Sequence, residues 1–427
     1  MLEPATLPIV EDSKAPGLVR GLGVWAASAV VIGAMIGQGI FLVSSQVARS
    51  VASGPQVLAV WIVGGMVVLF GAFCCAELGA ALPQAGGDYV YLSRGLGPVW
   101  GFLSGWSGCT LIRPATLATI AAGLARFAGF LAPALANPIF VRKLVLPHLS
   151  APLTVTLAGG RVFAALAVAT VAGVNYFGVR TAGRIQVVLT GLKVAAVVAV
   201  VVLGLGLGKV SAFTILPFSS ETSYMTLGAY LTALVPVMTA YSGFQYIGVV
   251  GEEVINPERN VPRAAILGGL VVIGLYVLAN LAYFHTLSFA EVAQSQHVAS
   301  DVLARVAGAT GAKWLTVGMM ISASGALHIG FLTGPRLGFA MARDGRFFAF
   351  AKRLQPRFRT PSGMLLFQGC ATILLVLTGG FEDLCSLGTL LVWLFFVLTA
   401  IALVRLRIKE PRNWHGHIGF GDIHGRH

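Results

Sequence analysis

Charge is scarce in this 427-residue chain. Only 11% of its residues are Asp, Glu, Lys or Arg, while 56% are hydrophobic, and its mean hydropathy is +0.84. A soluble chain of this length needs far more charge to cover its surface. Cysteine is scarce too. The five (Cys74, Cys75, Cys109, Cys370 and Cys385) lie in or beside apolar runs, with no CxxC pair. That excludes a disulfide or metal framework and leaves small core residues. The opening stretch MLEPATLPIVEDSKAPGLVR has no short apolar core followed by small residues. No cleaved signal peptide is expected, and the first apolar run acts as an anchor. No nucleophile–base pair or metal set sits in the apolar runs, so an enzyme is not expected and no cofactor is called for.

What is present is a series of apolar runs of about 20 residues, the length that crosses ~30 Å of hydrocarbon. Ten spans can be drawn: 21–45, 55–80, 97–127, 160–178, 184–207, 226–250, 264–286, 313–341, 362–379 and 384–404. A net charge of +13 also fits a nucleic-acid binder, but the basic residues are scattered over short loops. Eighteen of the 29 Lys and Arg fall on the side of the N-terminus and eight on the other; Arg113, Lys193 and Arg336 lie within spans. The bias predicts a multi-pass protein of the cell membrane with both termini cytoplasmic, partnered by the lipid bilayer and not by nucleic acid.

The first span contains GAMIGQGIF (33–41), with Gly33, Gly37 and Gly39. Each glycine in a helix interior costs roughly 1 kcal/mol against alanine. Taken alone, the stretch reads as a helix-packing glycine patch. The sixth span is interrupted too: VPVMTAYSGFQYIG (235–248) carries Pro236, Ser242, Gly243 and Gly248. Two sets of five spans enter a membrane in opposite directions, so spans 1 and 6 correspond. Two broken helices at matching places point to a transporter binding site. Unwound backbone is tolerated at membrane depth where it lines a cavity. Amides of Gly37, Gln38 and Gly39 suit an anion there, and carbonyls near Ala34 to Ile36 suit a cation. A zwitterionic amino acid offers both charges on one carbon.

Several stretches resemble the amino acid–polyamine–organocation (APC) transporter superfamily, and its L-type amino acid transporter branch most of all. The family's first broken helix reads G-x-x-I-G-S/A-G-I-F, with Gln38 here in place of the small residue. AELGAALPQAGGDYVYLSRGLGPVWGFLSGW (76–106), IRPAT (112–116), AYSGFQYIGVVGEEVINPERNVPRAAI (240–266) and GPRLGFAMARDGRFF (334–348) extend the likeness over about residues 20–410. The resemblance implies an all-α polytopic protein of the LeuT-type inverted five-plus-five repeat, working by alternating access. The expected organisation is a cytoplasmic segment 1–20, repeats 21–207 and 208–405, and a basic Gly/His-rich tail 406–427. The family usually has twelve spans, so a truncated, non-functional permease is one alternative; an amino-acid sensor without flux is another.

The resemblance also assigns roles. Ile36, Gly37, Gln38 and Gly39, with Tyr241, Ser242 and Gly243, give backbone polar groups to the substrate; Phe244 is an aromatic that closes over it; Gln245 and Tyr246 shape the pocket. His328, in GALHIG where the family has Asn, lines the side-chain pocket or stays a hydrogen-bonded structural group. Lys193 is either a lysine snorkelling to an interface or the family's surrogate for a sodium ion, bridging span-1 carbonyls and a span-8 hydroxyl, Ser322 or Ser324. Arg113 either satisfies a carbonyl freed by Pro114 or pairs with a neighbouring helix, with direct substrate binding as the alternative. Glu252 and Glu253 belong to a solvated loop and cap, or to cytoplasmic gate contacts. No Asp or Glu lies mid-span, and a site for arginine or polyamines calls for one near the distal cation. The expected substrate is a neutral amino acid, with acidic ones admitted if Arg113 reaches the site. No cysteine lies in a clear outside loop, so no disulfide-linked glycoprotein partner is expected.

Overall fold

The computed structural model describes residues 18, 20–37, 39–82, 84–144, 153–208, 226–295, 297–379 and 382–409. Gln38 and almost all of the 1–20 and 406–427 segments lie outside the described residues, so their expected roles concern residues not described. The described fold is helical, with one short antiparallel hairpin of β1 (Pro138–Leu144) and β2 (Leu153–Ala158) between helical segments. In that hairpin Val141 pairs with Thr156. It is the one departure from the all-α expectation, and it occupies a connection between apolar runs.

The first apolar run is two helices. α1 (Val24–Met35) stops where Ile36 turns extended, and α2 begins after the break and runs Gly39–Ser50. α3 (Gly54–Ala81) starts with a proline in its first turn, a position where the missing N–H costs nothing. The short α4 (Asp88–Gly95) leads to α5 (Pro98–Ser107), which passes through a π-turn at Gly108–Ile112 into α6 (Arg113–Leu131). Pro114 has no N–H to return to Thr110, and the wider turn takes up that defect. α7 (Gly159–Tyr176) and α8 (Val179–Leu207) follow.

The sixth apolar run is also divided. α9 (Leu227–Ala240) carries Pro236 and ends in a turn through Gly243, whose φ is +127°, before the single turn of α10 (Tyr246–Val249). α11 (Pro257–Thr286) and α12 (Phe289–Gln294) come next. Then α13 (Val298–Arg343) bends at Gly308, and α14 (Ser362–Thr378) and α15 (Glu382–Lys409) complete the described chain.

Six of the described helical stretches are long and apolar enough to cross a membrane: Gly54–Ala81, Pro98–Leu131, Val179–Leu207, Pro257–Thr286, Val298–Arg343 and Leu387–Lys409. Three shorter apolar helices join them: Val24–Met35, Leu227–Ala240 and Ser362–Thr378. The bundle is apolar outside and polar at chosen points inside. Phe70, Leu166, Val188, Leu374 and Leu390 are exposed on its surface, while Gln186, Lys193, Glu253, Asn280 and Arg336 are buried. That distribution suits hydrocarbon as the surrounding solvent. α1 sits at the centre, packed by α8, α11 and α13, and α11 also packs against α3.

Candidate functional site

The two broken runs meet, and glycines let them touch. A Cβ on Gly39 would lie 2.7 Å from Ala240 Cβ, so the start of α2 fits against the end of α9 only with a hydrogen there. A Cβ on Gly243 would lie 2.7 Å from the Ala34 carbonyl carbon, and its backbone conformation is one that side chains rarely adopt. Each break thus rests on the chain of the other. Gly33 serves a third neighbour: a Cβ there would collide with Gln186 Nε2 and Thr190 Oγ1 of α8.

A cavity of about 300 Å³ opens beside this contact, at the lower end of the range for small-molecule sites. Gly37, Gly39, Ser242 and Gly243 line it from the breaks, and a Cβ on Gly37 would meet nothing within 4 Å. Arg113 and Thr116 of α6, Ile329 of α13 and Trp393 of α15 close it. Part of the break backbone is already engaged. Gly37 N–H donates to Met35 O at 2.9 Å, and Gly243 N–H donates to the Gln245 side-chain oxygen at 3.0 Å. Those two amides are therefore bonded within the breaks. The first-turn amides of α2, beginning at Gly39, have no acceptor within their own helix.

Behind the break, one face of α8 answers the carbonyls of α1. Thr190 Oγ1 donates to Ala29 O at 3.0 Å, and Lys193 Nζ donates to both Gly33 O and Ile36 O at 2.8 Å. Gln186, Thr190 and Lys193 follow one another at four and three residues, the spacing of a single helix face. Lys193 is fully buried, so the snorkelling alternative does not describe it. From α13, Ser322 Oγ donates to Gly37 O at 3.1 Å, next to the Ile36 carbonyl that Lys193 holds, while Ser324 is only half-buried.

Phe244 takes a position other than the substrate-facing one that the resemblance implies, while Tyr241 and Ile36, expected to give backbone groups, turn their side chains into the bundle. Phe244 is buried and packs edge-on against Phe396, ring centres 5.4 Å apart, so it does not face the cavity. Tyr241 turns its hydroxyl to Trp61 O at 3.2 Å, leaving only backbone for the break. His328 is buried against α8: its Nδ1 lies 2.9 Å from Gln186 Oε1, an acceptor, which assigns the proton to Nδ1. That is the structural alternative weighed for this histidine. Ile36 has no exposed surface and offers its carbonyl to Lys193.

Arg113 is held from two sides. Nη1 donates to Thr333 Oγ1 of α13 at 3.1 Å, and the guanidinium lies over the Tyr246 ring, 4.8 Å from its centre. It pairs with a neighbouring helix and also lines the cavity. Tyr246 and Gln245 line the cavity as well. Trp393 was not singled out by sequence, and nothing in its apolar run distinguishes it. Thr116 lies inside the IRPAT stretch, whose likeness could have flagged it.

At the end of the bundle where α1 begins, Glu253 and Arg336 form a buried ion pair, and Glu253 O accepts from the amides of Gly21 and Leu22. Arg336 also donates to Leu332 O. Glu252 is more open and meets Arg343 at 3.2 Å. Glu253 is thus no solvated loop residue; it seals the chain before α1 to the segment after α10. Arg336 was counted among the charges within spans, but no sequence signal named its partner.

A largely apolar cavity between two interrupted helices, with backbone groups of the breaks and Arg113 on its wall, suits a carrier of small solutes across membranes. The chain belongs to the amino acid permease family, whose model matches residues 22–421, and to the L-type branch of the APC superfamily. The Asc-type amino acid transporter 1 of Mus musculus is 30% identical over 403 residues, 93% of this chain and 72% of that protein. The serine/threonine exchanger SteT of Bacillus subtilis is 29% identical over 403 residues, 93% of this chain and 86% of that one. The large neutral amino acids transporter small subunit 2 of Mus musculus is 29% identical over 413 residues, 95% of this chain and 74% of that one. The family is one of transporters, not enzymes.

Proposed function

We propose that this amino acid permease is a secondary transporter of neutral amino acids, moving them by alternating access as an exchanger or a proton symporter. The observation that carries the reading is the meeting of the two breaks at one cavity, with Gly37, Gly39, Ser242 and Gly243 on its wall. The first-turn amides of α2 suit a carboxylate, and carbonyls at the ends of α1 and α9 suit an ammonium group. Lys193 and Ser322 hold the carbonyls of the first break, as a bound cation does in sodium-coupled relatives of the fold. The reciprocal packing of Gly39 on Ala240 and of Gly243 on Ala34 supports two inverted five-span repeats, 21–207 and 208–405, and ten crossings in all. The basic bias of the loops supports cytoplasmic termini in the cell membrane. Among the described residues the cavity wall carries no Asp or Glu, which supports neutral over cationic substrates, and Arg113 on that wall keeps acidic ones admitted. The names of the neutral amino acid and serine/threonine relatives support the same choice. A disulfide-linked glycoprotein partner is not part of the proposal.

The test is a panel of radiolabelled L-serine, L-alanine, L-leucine, L-arginine and L-glutamate in proteoliposomes. Uptake of neutral amino acids driven by internal substrate indicates exchange; uptake driven by an inward proton gradient indicates symport. Preferred uptake of arginine or glutamate overturns the neutral assignment. Thermal stabilisation by amino acids without any flux identifies a sensor instead.

A further inference from the structure

The connection from α13 to α14 reads RDGRFFAFAKRLQPRFR over 343–359, with six Lys and Arg against one Asp, and four Phe among them. It is a built segment and not a loose basic tail. A 3₁₀ turn covers Ala349–Lys352. The Gln355 amide donates to Thr360 O at 2.8 Å and the Arg359 amide to Gln355 O at 2.9 Å, which closes a second turn. Thr360 Oγ1 donates to Tyr176 O, at the end of α7, at 3.0 Å, and Ser362 Oγ donates to Arg353 O at 3.3 Å. The segment is thereby tied to the bundle, and its side chains hold fixed places.

Those places divide by chemistry. Phe347 and Phe350 pack toward Phe367 of α14, ring centres 6.4 and 5.8 Å away. Phe348 stays open: it is 56% exposed and lies 5.9 Å from the ring of Trp106 on α5, itself 37% exposed. At the other end, Phe358 stands edge-on to the exposed Phe177 at 5.8 Å, and the Arg357 guanidinium lies over the Phe358 ring at 5.3 Å. Lys352, Arg353 and Arg357 are exposed, and among the described residues no carboxylate pairs with any of them. Asp344, the one acid of the segment, accepts from the Tyr89 hydroxyl at 2.6 Å. Arg180 and Arg184, one turn apart on α8, add two more exposed charges beside Gly178, where a Cβ would lie 3.3 Å from Phe358 Cβ.

We propose that this segment is a docking surface for the headgroups of anionic phospholipids. Lys352, Arg353 and Arg357 take the phosphate oxygens, and Phe348 with Trp106 lies at the boundary with the acyl chains. The level is right, because two apolar helices end there: α13 at Arg343 and α14 at Ser362, with Leu366 one turn into α14 already 66% exposed. Aromatic rings settle at that boundary, and long basic side chains reach from it to the headgroups. A guanidinium meets phosphate oxygens in pairs. Unpaired basic groups beside a membrane gain affinity from each anionic lipid, whereas a zwitterionic headgroup brings an ammonium that opposes them. The proposal goes beyond the carrier reading and needs only the location in a membrane.

The deciding experiment is native mass spectrometry of the detergent-purified full chain with phosphatidylglycerol or phosphatidylcholine of matched acyl chains. The wild type is expected to retain the anionic lipid about tenfold better, and equal retention overturns the proposal. The triple variant Lys352→Gln/Arg353→Gln/Arg357→Gln is expected to lose that preference. Arg259→Gln/Arg263→Gln, which removes exposed charge from the first turns of α11, is expected to keep it within about twofold. A preference that survives the triple variant, or falls equally in both variants, overturns the surface. Raising ammonium acetate from about 0.1 to about 0.5 M is expected to cut the wild-type preference at least about threefold. An unchanged preference overturns the proposal even if the triple variant folds poorly. Glycerol phosphate in large excess, at constant ionic strength, is expected to leave the lipid bound; displacement identifies a free-phosphate site and overturns the lipid assignment. A wild type without uptake of any amino acid sinks the carrier reading, and the lipid result still decides this one.

Discussion

Lys193 Nζ lies 2.8 Å from the carbonyl oxygen of Ile36, the residue at which α1 gives up its helix, and at the same distance from Gly33 O. One side chain on α8 thereby caps two of the carbonyls that the break leaves without a helical donor. Hydrogen bonds that involve a charged group contribute about 1.5–3 kcal/mol, and losing both leaves buried acceptors without a donor. Lys193→Ala and Lys193→Met are expected to lower amino acid uptake at least about tenfold, since ~1.4 kcal/mol is a factor of ten. Initial-rate uptake in proteoliposomes checks this, and wild-type rates in Lys193→Ala refute the role.

The glycines of the breaks are not equivalent. Gly243 has a φ of +127° and sits on the Ala34 backbone, whereas a Cβ on Gly37 meets nothing within 4 Å. Gly243→Ala is expected to destabilise the folded protein by about 1–3 kcal/mol through backbone strain alone, with collision added. Gly37→Ala is expected to leave thermal stability near wild type and to act only through the cavity wall. Melting of the detergent-solubilised variants compares them; equal losses at both positions contradict the assignment.

Glu253 and Arg336 exclude water from one another's charges, both being nearly inaccessible. Removing one partner of a buried pair strands the other, at roughly 3–5 kcal/mol. Glu253→Ala and Arg336→Ala are each expected to be severely destabilised, and the Glu253→Gln/Arg336→Met double variant less so than the sum of its single changes. A double-mutant cycle on thermal stability measures the coupling. Single changes costing under about 1 kcal/mol argue that the pair is dispensable.

Outside the spans, α12 opens with a capping box. The Ser288 amide donates to Glu291 Oε2 at 2.7 Å, the Ser288 hydroxyl adds a bond at 2.9 Å, and Arg305 adds another. These groups, the Ser288 amide first, lower the Glu291 pKa from 4.5 to about 2. A carboxylate whose folded pKa is depressed stabilises the fold above its ordinary pKa and loses that contribution as pH falls. Local protection of 288–295 is expected to be full above pH 4.5 and to decline toward pH 2, with Glu291→Gln flat across that window. Hydrogen exchange as a function of pH, corrected for intrinsic rates, reads it; an identical decline in Glu291→Gln removes the carboxylate as cause.

Where the chain breaks was legible in the sequence, because glycine and proline inside an apolar run are local signals whose cost is paid at their own position. GAMIGQGIF and AYSGFQ therefore announced the two interruptions, and Lys193 announced itself as a charge that an apolar run must pair. Which way each side chain turns was not legible. Helices that are apolar nearly all round have no strong amphipathic stripe to set their rotation. Phe244 found Phe396 on α15, and His328 found Gln186 on α8, only once those helices had packed. Phe244 thereby left the substrate-closing role that its motif position suggested, and His328 took the structural one of its two alternatives.

Composition by itself determined a multi-pass membrane protein, since apolar runs of that length with so little charge have no stable place in water. The glycine and proline breaks determined that two of those runs do not cross as single rods. Only the tertiary structure decided that the breaks rest on each other, that α8 answers the carbonyls of α1, and that one hydroxyl on α11 lies between both ends. Those contacts join residues as many as 241 positions apart. No local pattern encodes them; they exist because every unpaired peptide group in hydrocarbon must find its partner within the bundle.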